Sequence, residues 1–493
     1  MTDRPTASER RPNIVLILAD QWRGDCLGID GHPVLSTPNL DLMGAAGAHF
    51  RRAYSECPSC VPARRTLFSG QAPDRHGMVG MRMGVPWEVP HTLPGELARA
   101  GYQTEMVGKL HLHPRRKLYG FHHLRLAEGT NRGDQDNDYV AWLRRQGGAP
   151  DALEAGVGHG VSQNGWVGRP SHLPETLSHS FWCVSQALDF LQKRDPTGPF
   201  FLNVSFIEPH PPLTPPRFYY DRYMDLDLPE PVIGDWAPDV PPGKGQDIDS
   251  WFVNLDRETM RRCRAAYYGL MNHVDDQIGR LIDHLKVSGL FADTLFLFTS
   301  DHGEMLGDHH HFRKCFPYEG SARVPFLLRA PAWMGLAPRA ARDEPVGLQD
   351  VMPTLLDAAG VPVPESVTGR SVLPLLRPAT GGAGGAAGWR DALHGEHSGL
   401  YENDLGMHFL VDGHRKYVWY SQTGREHLFD LDADPQERHD LSREPDGDAR
   451  LAPWRARLAA RLRHRPEGFV SEAGDRLIVG RPHRQMVPGS VSS

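Results

Sequence analysis

Cysteine is scarce, with six residues (Cys26, Cys57, Cys60, Cys183, Cys263 and Cys315) in a chain of 493. So few exclude a disulfide-built scaffold, and without an export signal ahead of them reduced thiols and a cytoplasmic location are expected. Long hydrophobic runs are missing as well. The polar opening MTDRPTASERRP leads into NIVLILAD, far too short to span a bilayer and without a cleavage-site pattern, so no membrane association is expected. No lysine-rich stripe is present, and a formal charge of −7 leaves no basic footprint for nucleic acid. A hydrophobic share of 40% and an aromatic share of 9% are those of an ordinary globular protein, long enough for one large domain with a smaller one.

Against that background, short runs of Ile, Val, Leu and Phe stand out. Residues 13–19 read as a buried strand ending at Asp20, and 103–107, 200–207, 294–299 and 325–328 look similar. Three of these are followed at once by polar residues: Lys109 and His111, Glu208 and His210, Asp301 and His302. In α/β sheets ligands bind beyond the carboxyl ends of the strands, so such residues converge in one crevice. Helical spacing lies between the strands, in Val274, Ile278, Leu281, Ile282 and Leu285 before Gly289, and in Phe181, Val184, Leu188 and Leu191. The alternation predicts an α/β sandwich around a mostly parallel sheet with helices on both faces. The Gly/Ala-rich stretch 378–388 predicts a linker, dividing a catalytic domain over 1–377 from a small C-terminal α+β domain over 389–493. Strand character at 416–420 and 427–431 and a helical run at 451–463 fit the latter.

The stretch CPSCVPARRTLFSG, residues 57–70, sets Cys57 and Cys60 three apart. A thioredoxin-like redox pair belongs at the start of a helix in a far smaller domain, and a structural zinc site needs a second Cys-x-x-Cys, which this chain lacks. The residues after Cys60 are more informative. Cys60-Val61-Pro62-Ala63-Arg64, then Ser69-Gly70 and His76-Gly77, resembles the sulfatase signature, with Cys60 and not Cys57 in register. NIVLILADQ, TPNLD, VGKLH, FIEPHPP, SDHGEMLGDH, YEGSARVPF, PTLLDAAG and LFDLDADPQE resemble further landmarks of that family, in its order.

The resemblance implies an alkaline-phosphatase-like fold and hydrolysis of a sulfate monoester, of a carbohydrate or a small aryl or alkyl alcohol. It implies that a formylglycine-generating enzyme oxidises Cys60 to Cα-formylglycine, whose hydrate attacks sulfur. It implies one divalent cation, calcium first and magnesium or manganese as alternatives, bound by Asp20, Asp301, His302 and modified Cys60, with Gln21 either a further ligand or a support just behind them. The family's commoner pattern is Asp-Asp and Asp-Asn where this chain has Asp20-Gln21 and Asp301-His302, which makes the site less negative and friendlier to a transition metal. By the same resemblance Arg64 holds the formylglycine, Lys109 and Lys314 bind sulfate oxygens, His111 assists the hydrate, and His210 protonates the leaving group. Arg64 stands one helical turn past Cys60, and alternation in an extended VGKLH would put Lys109 and His111 on one face. In the DHHH tract, His310 and His311 are expected on the rim, within reach of substrate.

Two rival functions are compatible with the same residues. A phosphonate monoester or phosphodiester hydrolase of the superfamily shares Asp-Gln and Asp-His, but its pattern has uncharged hydroxyl-bearing residues where Lys109 and His111 stand. A non-catalytic anion-binding protein would result if Cys60 stayed unmodified. Specificity is expected from the loops 126–170 and 215–251, with Trp142, Trp166, Tyr219, Trp236 and Trp251 either forming a pocket or packing.

Overall fold

The structure, a computed structural model, describes residues 10–128, 137–146, 161–241, 244–245, 247–377 and 388–487. The predicted linker at 378–388 lies outside the described residues, apart from Gly388, as does part of the 126–170 loop. Eight strands form the main sheet: β1 (Asn13–Asp20), β2 (Ala48–Phe50), β3 (Gln103–Gly108), β4 (His123–Leu126), β5 (Phe200–Pro209), β6 (Thr294–Ser300), β7 (Phe326–Arg329) and β8 (Ala340–Arg342). Their order is β4-β3-β5-β1-β6-β7-β2-β8. The sheet is parallel except where β7 runs against β6 and β2. All five predicted strands are present, but the 325–328 run turned out to be the antiparallel one.

β1 shows why the pattern reads as doubly buried. Val15, Ile17 and Ala19 point into one apolar cluster with Leu202, Val204 and Phe298, whereas Ile14, Leu16 and Leu18 point into another with Phe201, Leu295 and Leu297. Each fully buried side chain of this size contributes roughly 1.5–3 kcal/mol, and both faces are covered. On the first face lie the helices α1 (His179–Lys193) and α2 (Arg257–Val287). Asp256 caps α2 by accepting from the Thr259 N–H at 2.9 Å, and Gly289, at φ 71°, lets the Leu290 N–H return to Leu285 O at 2.9 Å. On the second face lie the short helix Cys60–Ser69 and the helix Val351–Ala358.

A second sheet, antiparallel, runs β9 (Leu393–His397), β10 (Met407–Val411), β11 (Arg415–Tyr420) and β12 (Glu426–Asp430) in sequential order. One face packs Met407, Phe409, Val418 and Phe429 against Tyr54, Trp236, Phe316 and Tyr318 of the main body. The other is covered by the helix Gly447–Leu462 through Leu451, Trp454 and Leu458. No helix among the described residues is long and apolar enough to cross a membrane.

Candidate active site

The carboxyl ends of β1, β3, β5 and β6 deliver Asp20, Lys109, His210 and Asp301 to one buried place. Cys60 reaches it as the first residue of its helix, and Arg64, one turn on, faces the same point. Donor atoms of Asp20, Cys60, Asp301 and His302 lie within 4.8 Å of one another. The Cys60 Sγ stands 3.1 Å from Lys314 Nζ, 3.2 Å from His302 Nε2, and 3.8 Å from both Lys109 Nζ and Asp20 Oδ1.

Around that sulfur the charges interlock. The Lys109 ammonium donates to Asp20 Oδ2. Arg64 Nε donates to Asp301 Oδ2 at 2.9 Å, its Nη1 donates to Ser205 Oγ at 3.0 Å and to the Lys109 carbonyl, and its Nη2 has no hydrogen-bond partner. Three cations, Arg64, Lys109 and Lys314, thus face two carboxylates in a space shielded from water. The surplus is positive, which suits an anion. Burial alone would raise the Cys60 thiol, and Asp20 adds to that, but Lys109, Lys314 and His302 outweigh both and bring it below the ordinary thiol range. Burial would likewise keep Asp20 neutral, yet Lys109, His210, His302 and Lys314 hold it well below the usual carboxylate range.

Gln21 adopts the left-handed conformation, at φ 70°, which turns its amide into the site. Its Oε1 accepts from Lys314 Nζ at 3.3 Å, and its Nε2 donates to Glu304. Lys314 Nζ also donates to His210 Nε2 at 2.9 Å, while His210 Nδ1 lies 2.8 Å from the Pro211 carbonyl. A carbonyl only accepts, so Nδ1 carries the proton and Nε2 is the acceptor. Burial and the Lys314 ammonium push His210 well below the ordinary imidazole range.

One expectation needs correction. β3 ends at Gly108, and His111 has φ 56°, so Lys109 and His111 do not alternate along an extended chain. The chain turns instead, with Glu128 accepting the N–H groups of Leu110 at 3.0 Å and His111 at 2.8 Å. His111 still senses the site's charges: burial, Lys109 and Arg64 push it well down, and its Nδ1 is buried without a partner. The DHHH tract divides. Asp308 pairs with Arg23 at 2.8 Å and Arg264 at 3.0 Å, His309 packs on Trp236, and His310 and His311 sit against Phe252 with no hydrogen bond to Cys60 or its neighbours. His311 instead lines a cavity of about 250 Å³ with Trp236, Trp251, Phe252 and Tyr318. Trp236 donates to Glu437 O at 2.6 Å and is a packing residue as well as a wall; Trp251 stacks on Tyr401.

Three further supports stand behind these residues, of which the sequence singled out only Glu208. Glu304, inside the SDHGEMLGDH stretch, accepts from Gln21 and from the Leu306 N–H at 2.8 Å. Ser59, the residue before Cys60, meets His397 Nε2 at 2.9 Å from the second sheet. Glu208 pairs with His179 Nδ1 at 2.8 Å just before the turn that carries His210. Against the pull of burial, Cys183 and Glu208 push His179 up to about 10, and His179 brings Glu208 down to about 2. Stability from His179 is whole below its unfolded value of 6.5 and fades as pH rises towards 10; that from Glu208 is whole above 4.5 and is lost as pH falls towards 2. Glu208→Gln should therefore lower the unfolding free energy by about 3 kcal/mol, most between pH 4.5 and 6.5. Urea melts across pH check this, and a pH-independent difference would remove the ion pair as the cause.

Comparison with known proteins decides the family. The sulfatase family profile matches residues 12–361, well over half of the chain. The chain belongs to the sulfatase family. A second profile, N-sulphoglucosamine sulphohydrolase, C-terminal, matches residues 307–464. This sulfatase is 40% identical over 486 residues to an arylsulfatase of Clostridium perfringens, covering 96% of this chain and 98% of that protein. It is 30% identical to the multifunctional alkaline phosphatase superfamily protein PehA of Trinickia caryophylli, covering 88% and 92%. Among solved structures, the phosphonate monoester hydrolase of Agrobacterium radiobacter superposes with a TM-score of 0.76 at 27% identity, covering 94% of this chain and 99% of that one. The fold is that of the alkaline-phosphatase-like superfamily, and the sulfatase is a sulfuric ester hydrolase.

Proposed function

We propose that this sulfatase cleaves a sulfate monoester of a carbohydrate or of a small aryl or alkyl alcohol, with Cys60 converted to Cα-formylglycine by a generating enzyme. We propose one divalent cation, calcium before magnesium or manganese, held by Asp20, Gln21, Asp301 and His302. The observation that supports this best is the position of the Cys60 Sγ, 3.1 Å from one ammonium and 3.8 Å from another, at the edge of a carboxylate cluster. That sulfur stands in for the oxygens of the modified residue. The donors fit a cation: two carboxylates and an amide oxygen are hard ligands suited to calcium or magnesium, and one imidazole widens the choice towards manganese. When bound, the hydrated aldehyde supplies a nucleophile that is regenerated each turnover, and the cation draws charge off the sulfuryl oxygens.

The protein's own side chains account for the rest. Arg64 neutralises Asp301 and fixes the helix turn behind residue 60, while Lys109 and Lys314 receive the anionic ester. His111, kept neutral, accepts the proton released as the nucleophile attacks. His210 serves as the leaving-group acid once its Nε2, which accepts from Lys314 in this structure, has taken up a proton; as the ester bond to sulfur breaks that proton passes to the leaving oxygen, while Lys314 holds the sulfate.

Activated enzyme, made with a formylglycine-generating enzyme, should hydrolyse an aryl sulfate with kcat/KM at least about tenfold above that for the matching aryl phosphonate monoester, some 1.4 kcal/mol in the transition state. Lys109 and His111 favour the sulfate. A tenfold preference for the phosphonate would replace this reading with that of a phosphonate hydrolase.

A further inference from the structure

The outer face of the second sheet carries a buried polar cluster that the catalytic site does not use. Antiparallel register sets Glu396 of β9 opposite His408 of β10, and His394, two residues before Glu396, shares that face. His483, from the last described segment, closes the group. Its Nε2 lies 3.0 Å from Glu396 Oε2, His408 Nδ1 lies 3.8 Å from the same oxygen, and His394 Nε2 lies 3.2 Å from His408 Nδ1. The donor atoms of Glu396, His408 and His483 all fall within 4.8 Å of one another. Around a tetrahedral zinc with bonds of about 2.0–2.1 Å, neighbouring donors stand about 3.3 Å apart. The observed separations bracket that spacing.

Charge points the same way. Arg465 donates to both oxygens of Glu396, at 2.7 and 2.6 Å, and to both of Glu467, at 3.1 and 2.8 Å, so one guanidinium serves two carboxylates. With Glu396 1% and His408 0% exposed, two carboxylates against one guanidinium leave room for a further cation. The outward nitrogens, His408 Nε2 and His483 Nδ1, have no hydrogen-bond partner, and His483 Nε2 donates to the Glu396 carboxylate, so an entering ion would displace that proton. The His408 and His483 rings stack, 4.6 Å apart and within 13° of parallel, so an ion between their inward nitrogens would have to tilt the rings towards each other.

We propose that Glu396, His408 and His483, with His394 as the fourth donor, form a second metal site, structural rather than catalytic, for a divalent transition ion of which zinc is the best match. Its place in the fold explains what such an ion does. Beyond His483 the chain pairs with the segment after the nucleophile helix, through the Val79 N–H to Gln485 O at 3.0 Å and the Val487 N–H to Gly77 O at 2.8 Å. On the inner face of the same strand, His397 holds Ser59, the neighbour of Cys60. The ion therefore staples the terminal segment to the sheet that backs the catalytic loop.

The test uses the full-length protein grown with zinc and analysed by plasma mass spectrometry. About one zinc per chain is expected in wild type and in Asp301→Asn, which disables the catalytic cation site, and less than a tenth of that in His483→Asn. Cobalt(II) added to chelator-treated Asp301→Asn protein should give the strong visible bands of a tetrahedral site with a one-equivalent end point. Adding zinc back should raise its melting midpoint by at least about 5 °C. These last two measurements leave the cluster unmutated, so they hold even where His483→Asn misfolds. Zinc below a tenth of an equivalent in Asp301→Asn, or a melt indifferent to zinc, would overturn the proposal and make the cluster a hydrogen-bonded network held by protons alone.

Discussion

Cys60→Ala should reduce turnover of an aryl sulfate by at least about 10⁴-fold, to background, while leaving the melting midpoint within about 2 °C of wild type. The chemical half of that expectation rests on the sulfur's position, against Lys314 and His302. Alanine has no atom to oxidise and nothing to present to the substrate. The structural half rests on the thiol's dispensability to its neighbours. Its contacts are with polar groups that keep other partners: Lys109 keeps Asp20, Lys314 keeps His210 and Gln21, and Asp20 keeps Arg64 nearby. Alanine also suits the first turn of a helix. The matching chemical observation is a loss of about 18 Da from the tryptic peptide carrying residue 60, the mass of CH₂SH replaced by CHO, after coexpression with a generating enzyme. Turnover surviving in Cys60→Ala would exclude the proposed nucleophile, and an unmodified thiol in coexpressed protein would turn the assignment towards anion binding.

Arg64→Ala should be worse for the fold than for any single step of chemistry. The guanidinium is fully buried, and it serves Asp301, Ser205 and the Lys109 carbonyl at once. Removing it strands Asp301 without its closest cation and frees a carbonyl and a hydroxyl in a place without water, at a cost of about 3–5 kcal/mol. Activity should fall with it, because Asp301 would no longer be held in the carboxylate cluster. Arg64→Lys should recover only part, since an ammonium cannot reproduce the fork that spans Asp301 and Ser205. Urea unfolding separates the two effects: a variant as stable as wild type would show that Arg64 is not needed to balance the buried carboxylates, whatever its activity.

Parts of the fold and of the site are legible in the residues alone. β1, β3, β5 and β6 are continuous apolar runs because both faces of a parallel sheet are covered, and the residues closing them, Asp20, Lys109, His210 and Asp301, meet because ligand-facing groups sit at the strands' carboxyl ends. Arg64 meets the site because four residues make one helical turn. β9 and β10 are not legible, since LHGEH puts Glu396 on a face that is nonetheless buried, by Arg465 and His483, 69 and 87 residues later in the chain. The turn that aims His111 depends on Glu128, and the hold on Ser59 depends on His397, 338 residues away. Local spacing therefore determined which residues could be chemical, because strand and helix periods are local properties. Only the tertiary structure decided which partners set their charge and direction, because those partners are brought close by long-range packing that no local period records.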